Sequence, residues 1–137
     1  MGDIEGEPQV VTYGSVDLRW SDATRVAVVR YAPGTRLTGP DGTILVDTLT
    51  AWIGSASAPF TVLAHAGGVA SADAAYRARI GVFFRRHRAT AHIAVVGVGP
   101  VLRVLAELFR VGTGIELRCL ADERSAWGWL QTRGMRA

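Results

Sequence analysis

The chain contains no lysine; all 15 of its basic residues are arginine. With alanine, glycine and valine abundant, that bias reads as the imprint of a GC-rich coding sequence more than as selection for a basic surface. It has one cysteine, Cys119, so an internal disulfide is excluded. That thiol sits in the apolar run from Ile115 to Leu120, the setting of a small buried core residue. A reactive thiolate needs an electropositive, partly exposed site, and only Arg118 hints at one. No run approaches the roughly 20 apolar residues that a membrane-spanning helix requires. The segment from Met1 to Gln9 carries Asp3, Glu5 and Glu7 and nothing basic, the reverse of a signal peptide's start. Residues 1–10 are therefore expected to form a mobile acidic tail, and the protein to be cytoplasmic. With no internal repeat, low-complexity tract or Pro/Ser-rich linker, residues 11–137 are expected to fold as one domain.

What the chain does have is core-forming material. Apolar residues make up 49% of its 137 residues and charged residues only 20%, which excludes a disordered, solvating chain. The charge is polarised. Residues 1–75 hold four Arg against eight acids, a net of −4, whereas residues 76–137 hold eleven Arg against four acids, a net of +7. Such a field orients a partner without naming one.

Val16 to Trp20 and Arg25 to Tyr31 are β-rich runs joined by the turn cluster Ser21-Asp22-Ala23-Thr24, the spacing of an antiparallel hairpin. After the loop residues Gly39-Pro40-Asp41-Gly42, the spacing of Leu45, Leu49, Trp52 and Ile53 predicts a helix that stops at Gly54. Phe60 to Ala64 reads as a buried strand closed by Ala66-Gly67-Gly68. Between about Asp73 and Arg88, Tyr76, Ile80, Phe83, Phe84 and His87 share one helical face, with arginines on the flanks and in the last turn. His92 to Val96 is a further strand. A helix beginning at Pro100 is expected to bury Val101, Leu102, Val104, Leu105, Leu108 and Phe109 while Arg103, Glu107 and Arg110 face water. Ile115 to Leu120 is the last strand, and Asp122 can cap a final helix reaching about Gln131. The order β-β-α-β-α-β-α-β-α predicts an α/β fold: a mixed, mainly parallel five-stranded sheet with about four helices.

Residues 91–130, AHIAVVGVGPVLRVLAELFRVGTGIELRCLADERSAWGWL, resemble the STAS-like family (sulfate-transporter and anti-sigma-antagonist domains), and within it the SpoIIAA-like group. Val95-Val96-Gly97, the strand through Leu117, and Ala126, Trp129 and Leu130 occupy the places of that group's closing strand, strand and helix. The resemblance implies a STAS-like α/β domain of regulatory class. In the phosphorylation-switched members a serine in a D-S-S-G motif precedes the second helix. This sequence instead has Gly67-Gly68-Val69-Ala70-Ser71-Ala72-Asp73-Ala74, with Ser71 as the nearest hydroxyl and as a natural N-cap.

Other chemical signals have plainer readings. Gly97-Val98-Gly99-Pro100 between a strand and a helix has the form of a phosphate-cradling turn, and Asp122 stands where a ribose contact would lie. However, Leu102 occupies the third glycine position and Pro100 removes an N–H, so turn glycines explain it better. His65, His87 and His92 lack the spacing of a metal site, and no nucleophile–base–orienter pattern joins Ser71 to them. Arg77, Arg79, Arg85, Arg86 and Arg88 lie on two sides of their helix, away from its aromatics, which does not make a nucleic-acid surface. Of Trp127 and Trp129, one is expected to be exposed enough to anchor a partner.

The sequence therefore points to a non-catalytic regulatory or scaffolding module without a cofactor, binding a protein partner. The surface expected to do so comprises Gly67, Gly68, Ser71, Asp73, Arg85 and Arg86. The alternative is a small-ligand binder, for a nucleotide or a lipid-like molecule. It would use the turn at Gly97 and Gly99 with Asp122, or an apolar pocket under the first helix. A homodimer stays open.

Overall fold

Along Val16–Ser21, Val16, Leu18 and Trp20 are buried while Arg19 is exposed and Asp17 half-buried. That period of two marks a strand with one covered face. In the computed structural model, which describes residues 9–54 and 58–132, this is strand β2, preceded by β1 (Gln9–Tyr13) and followed by β3 (Val26–Tyr31) and β4 (Thr35–Leu37). The chain continues through α1 (Gly39–Ile53), β5 (Phe60–His65), a 3₁₀ turn at Ala66–Gly68, β6 (Val69–Ala72) and α2 (Ala74–Arg86). It then runs through β7 (Ala91–Val96), α3 (Pro100–Thr113), β8 (Glu116–Leu120) and α4 (Glu123–Thr132).

The main sheet has six strands in the order β1-β2-β3-β5-β7-β8. The β1–β2 and β2–β3 pairs are antiparallel, and β3–β5, β5–β7 and β7–β8 are parallel. The expected five strands are thus all present, with β1 added at the edge; Gln9 and Val10, assigned to the tail from sequence, belong to this strand. Residues 1–8 lie outside the described residues. β4 and β6 form a separate two-stranded parallel sheet.

The β2–β3 turn closes through Arg25 N–H to Ser21 O at 2.7 Å, with Arg25 in the left-handed region at φ 55°. That conformation costs a side-chain-bearing residue roughly 1–2 kcal/mol. The Arg25 guanidinium offsets it by donating to Pro59 O at 3.1 Å and Ile53 O at 3.2 Å while lying 5.5 Å from the Trp20 ring.

Each parallel crossover advances one strand further in the same direction, so α1, α2 and α3 all cover one face. Alternation within the strands matches. Val29, Val62, Ile93, Val95 and Leu117 pack with Leu45 and Leu49 of α1 and Tyr76, Phe83 and Phe84 of α2. Val26, Leu63, Ala94 and Val96 turn to the other face, where Ala126, Trp129 and Leu130 of α4 cover them. Because the strand order never reverses, the fold has no topological switch point of the kind that holds dinucleotides.

Helix ends follow local chemistry. Thr38 and Asp41 form a capping box on α1, with Thr38 N–H donating to Asp41 Oδ2 at 2.9 Å. The cap of α2 is Asp73, which accepts from Tyr76 N–H at 2.8 Å; Ser71, expected in that role, lies in β6 two residues earlier. Glycines let α1 approach α2: a Cβ at Gly39 would stand 3.0 Å from Ala75 Cβ, and one at Gly42 3.3 Å from Tyr76.

A third difference from expectation concerns α3. Leu102, Leu105, Ala106 and Phe109 face inward, half-buried, but Val101, Val104 and Leu108 are 75%, 60% and 63% exposed. Val111, at 72%, joins them. At 100° per residue the apolar arc of α3 spans roughly 220°, wider than the face the domain covers.

Candidate functional site

Between the helical face of the sheet, α2 and α3 lies a cavity of about 170 Å³ that opens to solvent. Its floor is Val29, Val62, Ile93, Val95 and Leu117, the same alternating positions that form the core. Its walls are Ile80 and Phe84 of α2 and Leu102, Leu105, Ala106 and Phe109 of α3. Short side chains leave the space open: Ala64 at the end of β5, Ala66, Ala72 and Ala106 stand where larger residues would fill it. Helix α3 touches α2 mainly through aromatic contact, Phe84 to Phe109 at 6.0 Å between ring centroids, with Gly81 passing beneath the Phe109 ring.

The rim carries few polar groups. Tyr31 and Tyr76 line it, and Arg77 stands beside them, its Nε donating to Ala72 O at 3.2 Å. Burial pushes the Tyr31 phenol up to about 12, partly opposed by the Tyr76 hydrogen bond, and burial followed by Tyr31 raises Tyr76 well above the ordinary value. Both are therefore neutral donors and acceptors in physiological water, not phenolates. The cavity offers apolar surface and two hydroxyls, and no charged nucleophile, base or metal ligand set. Among the described residues no group of three metal-binding side chains exists.

The sequence-predicted positions fall elsewhere. Gly67 and Gly97 meet at the carboxyl ends of β5 and β7, where a Cβ on Gly67 would stand 3.5 Å from Gly97 O. Gly68 has a structural duty: a Cβ there would collide with Tyr31 O and lie 2.8 Å from Ala32 O. Ser71 is exposed and sits beside Arg36 across the β4–β6 pair, close to Asp73 at the start of α2. Arg85 and Arg86 are exposed in the last turn of α2, roughly 18 Å along the axis from Asp73. The six residues thus occupy two ends of one helix.

Gly97, at φ 76°, and Gly99, the N-cap of α3, form the turn between β7 and that helix. Asp122 caps α4 instead of facing this turn, accepting from Ser125 N–H at 2.8 Å; that bond holds its carboxyl below the usual range. Cys119 is half-buried and packs against the core, and its thiol is raised chiefly by burial, which keeps it protonated and inert. Of the two tryptophans, Trp129 is buried and Trp127 half-buried, with Nε1 donating to Glu123 Oε2 at 3.1 Å.

One cluster escaped sequence reasoning. At the carboxyl ends of β3 and β5, His65 Nε2 stands 2.9 Å and Arg30 Nη2 3.4 Å from Glu123 Oε1, at the start of α4. The two contacts fasten the start of α4 to the strand ends, and among the described residues no hydroxyl or thiol hydrogen-bonds to His65. The cluster's members lie 93 and 58 positions apart in sequence, a separation that no local motif signals.

No protein-family model and no curated protein matches the chain. Solved structures do. An uncharacterized protein of the DUF3478 family with a SpoIIAA-like fold, from Shewanella loihica PV-4, superposes with a TM-score of 0.65 at 14% identity, over 90% of this chain and 94% of that one. The anti-sigma factor antagonist SpoIIAA in its unphosphorylated form superposes with a TM-score of 0.56 at 12% identity, over 90% of this chain and 97% of that one. The architecture is therefore a mixed α/β domain of SpoIIAA-like fold, as the resemblance in residues 91–130 implied. Among the described residues no helix is long and apolar enough to cross a membrane.

Proposed function

We propose that this domain is a non-catalytic, cytoplasmic binding module that takes a small apolar molecule into the cavity between the sheet, α2 and α3. One observation carries the reading: about 170 Å³ of open space with almost wholly apolar walls, in a chain rich enough in large aliphatic residues to fill it. The space opens to solvent, so a guest seated there would remove almost wholly apolar walls from water. Its volume is comparable to that of an apolar cavity that accepts benzene. The Tyr31 and Tyr76 hydroxyls supply hydrogen bonds for one neutral polar group at the rim. The strand order of the described residues never reverses, so it makes no switch-point crevice, which counts against a dinucleotide.

The test is a titration with benzene, indole and 1-hexanol followed by amide chemical shifts and by the melting temperature, since a ligand of the native state alone raises it. Shifts confined to Ile80, Phe84, Leu105 and Phe109 with a rise in melting temperature support the reading. No shift from any probe near its solubility limit rejects it.

A second reading, a regulatory module docking on another protein, is favoured by Ser71. It is exposed just ahead of α2 and beside Arg36, where a phosphate would find both a guanidinium and a helix N-terminus. The SpoIIAA neighbour is described in an unphosphorylated form, which implies a phosphorylated counterpart of that protein. Mass spectrometry of this chain isolated from its own cells, with the proteins it retains, tests this reading. An unmodified Ser71 and no retained partner argue against it.

A further inference from the structure

We infer that the outer face of α3 is a self-complementary seam through which two copies of this chain pair antiparallel. Val101, Val104, Leu108 and Val111 are 75%, 60%, 63% and 72% exposed. Their spacing, three then four then three, is the narrow stripe of a helix that packs against another helix along its length.

The stripe is also palindromic. A two-fold axis at the level of Ala106 sets Val101 of one copy against Val111 of the other, and Val104 against Leu108. This is what an isologous interface demands of a single patch. Arg103, Glu107 and Arg110 lie on one side of the stripe. At 1.5 Å per residue, Glu107 of each copy comes within about 3 Å of the level of both Arg103 and Glu107 in the other, and Arg110 within about 1.5 Å of the level of Arg103, so the flank neither selects nor opposes this register and the apolar stripe carries it. The four aliphatic side chains expose roughly 450 Å² per copy, and the stems of the flanking arginines bring a pair to the ~1,000 Å² at which specific interfaces begin. A bilayer is less well matched: the stripe has no aromatic residue, and its flank includes an acid that pairs with Arg110 at 3.0 Å.

The seam stands apart from the cavity reading, because the cavity is lined by the opposite face of the same helix. Sedimentation from about 1 to about 200 µM should show a reversible dimer dissociating on the order of 10 µM. Leu108→Glu should be monomeric throughout with its far-ultraviolet dichroism retained.

Register is tested on a Cys119→Ser background with a mild oxidant. Val101→Cys mixed with Val111→Cys should cross-link between chains. Val101→Cys alone should not, since its two copies would lie about 15 Å apart along the axis. Cross-linking of Val101→Cys alone, without the mixed product, would overturn the antiparallel pairing. A wild-type chain monomeric at every concentration overturns the proposal. If that monomer also floats with anionic phosphatidylserine vesicles, and Leu108→Glu does not, the stripe belongs to a lipid surface instead.

Discussion

Phe84 of α2 and Phe109 of α3 meet edge to face, ring centroids 6.0 Å apart and planes at 80°, and this contact joins the two helices that wall the cavity. Phe84 is also in edge contact with Phe83, whose ring touches Phe60 of β5 and His87. The aromatic chain therefore runs from the sheet through α2 to α3. Truncating its last member, Phe109→Ala, removes the anchor of α3 and enlarges the cavity. We expect a loss of about 3 kcal/mol in urea unfolding, with amide exchange accelerated in α3 first. A loss below about 1 kcal/mol would show that α3 is held by its other contacts.

Filling the cavity should do the reverse. Ala106 is half-buried on α3 and borders the open space, so Ala106→Leu adds aliphatic volume there without disturbing the helix. A gain of roughly 1 kcal/mol is expected, as is typical of cavity filling, together with loss of the response to benzene, indole and 1-hexanol. A stabilised variant that still binds those probes would place their site elsewhere.

Gly68 makes a separate case because its cost lies in the backbone. A methyl group there would collide with Tyr31 O and sit 2.8 Å from Ala32 O, both main-chain atoms at the end of β3 that cannot rotate away. Gly68→Ala should cost about 2 kcal/mol, whereas Gly99→Ala, where a Cβ meets nothing within 4 Å, should cost less than half as much. Denaturant midpoints of the two variants decide the matter; equal losses would remove the structural account of Gly68.

These sites also show what the sequence could and could not reveal. The periodicity of Tyr76, Ile80, Phe83 and Phe84 marks α2 and its inner face, alternation marks β2, whose one covered face leaves a regular imprint, and continuous apolar runs mark β5 and β7, which are covered on both faces. β1 left none: it is an edge strand in which Val10 is 49% exposed. β4 and β6, of three and four residues, pair only with each other and are too short for a pattern. For α3 the pattern located six of the apolar residues, without Ala106 and Val111, and not the width of their cover, so that it places Val101, Val104 and Leu108 in the core although they are exposed. The cavity is invisible in sequence because its walls come from residues as distant as Val29 and Leu117, and because it depends on alanines that look like ordinary packing.

His87 ties this packing to pH. Its ring lies tilted against Phe83 at 4.6 Å and edge-on to Phe60 at 5.9 Å between centroids. Burial, with Arg86 adding its charge, lowers its pKa from the ordinary value of 6.5. A histidine depressed in the fold binds its proton more readily in the unfolded chain. Stability is therefore unaffected well above pH 6.5, falls as pH drops below the unfolded value toward the folded one, and levels off once both states are protonated. His87→Phe keeps an aromatic ring against Phe83 and cannot titrate, so its stability should change less than the wild type's between pH 7 and pH 5. Urea midpoints of both chains across that range provide the measurement. Parallel curves would mean that the loss arises at groups other than His87.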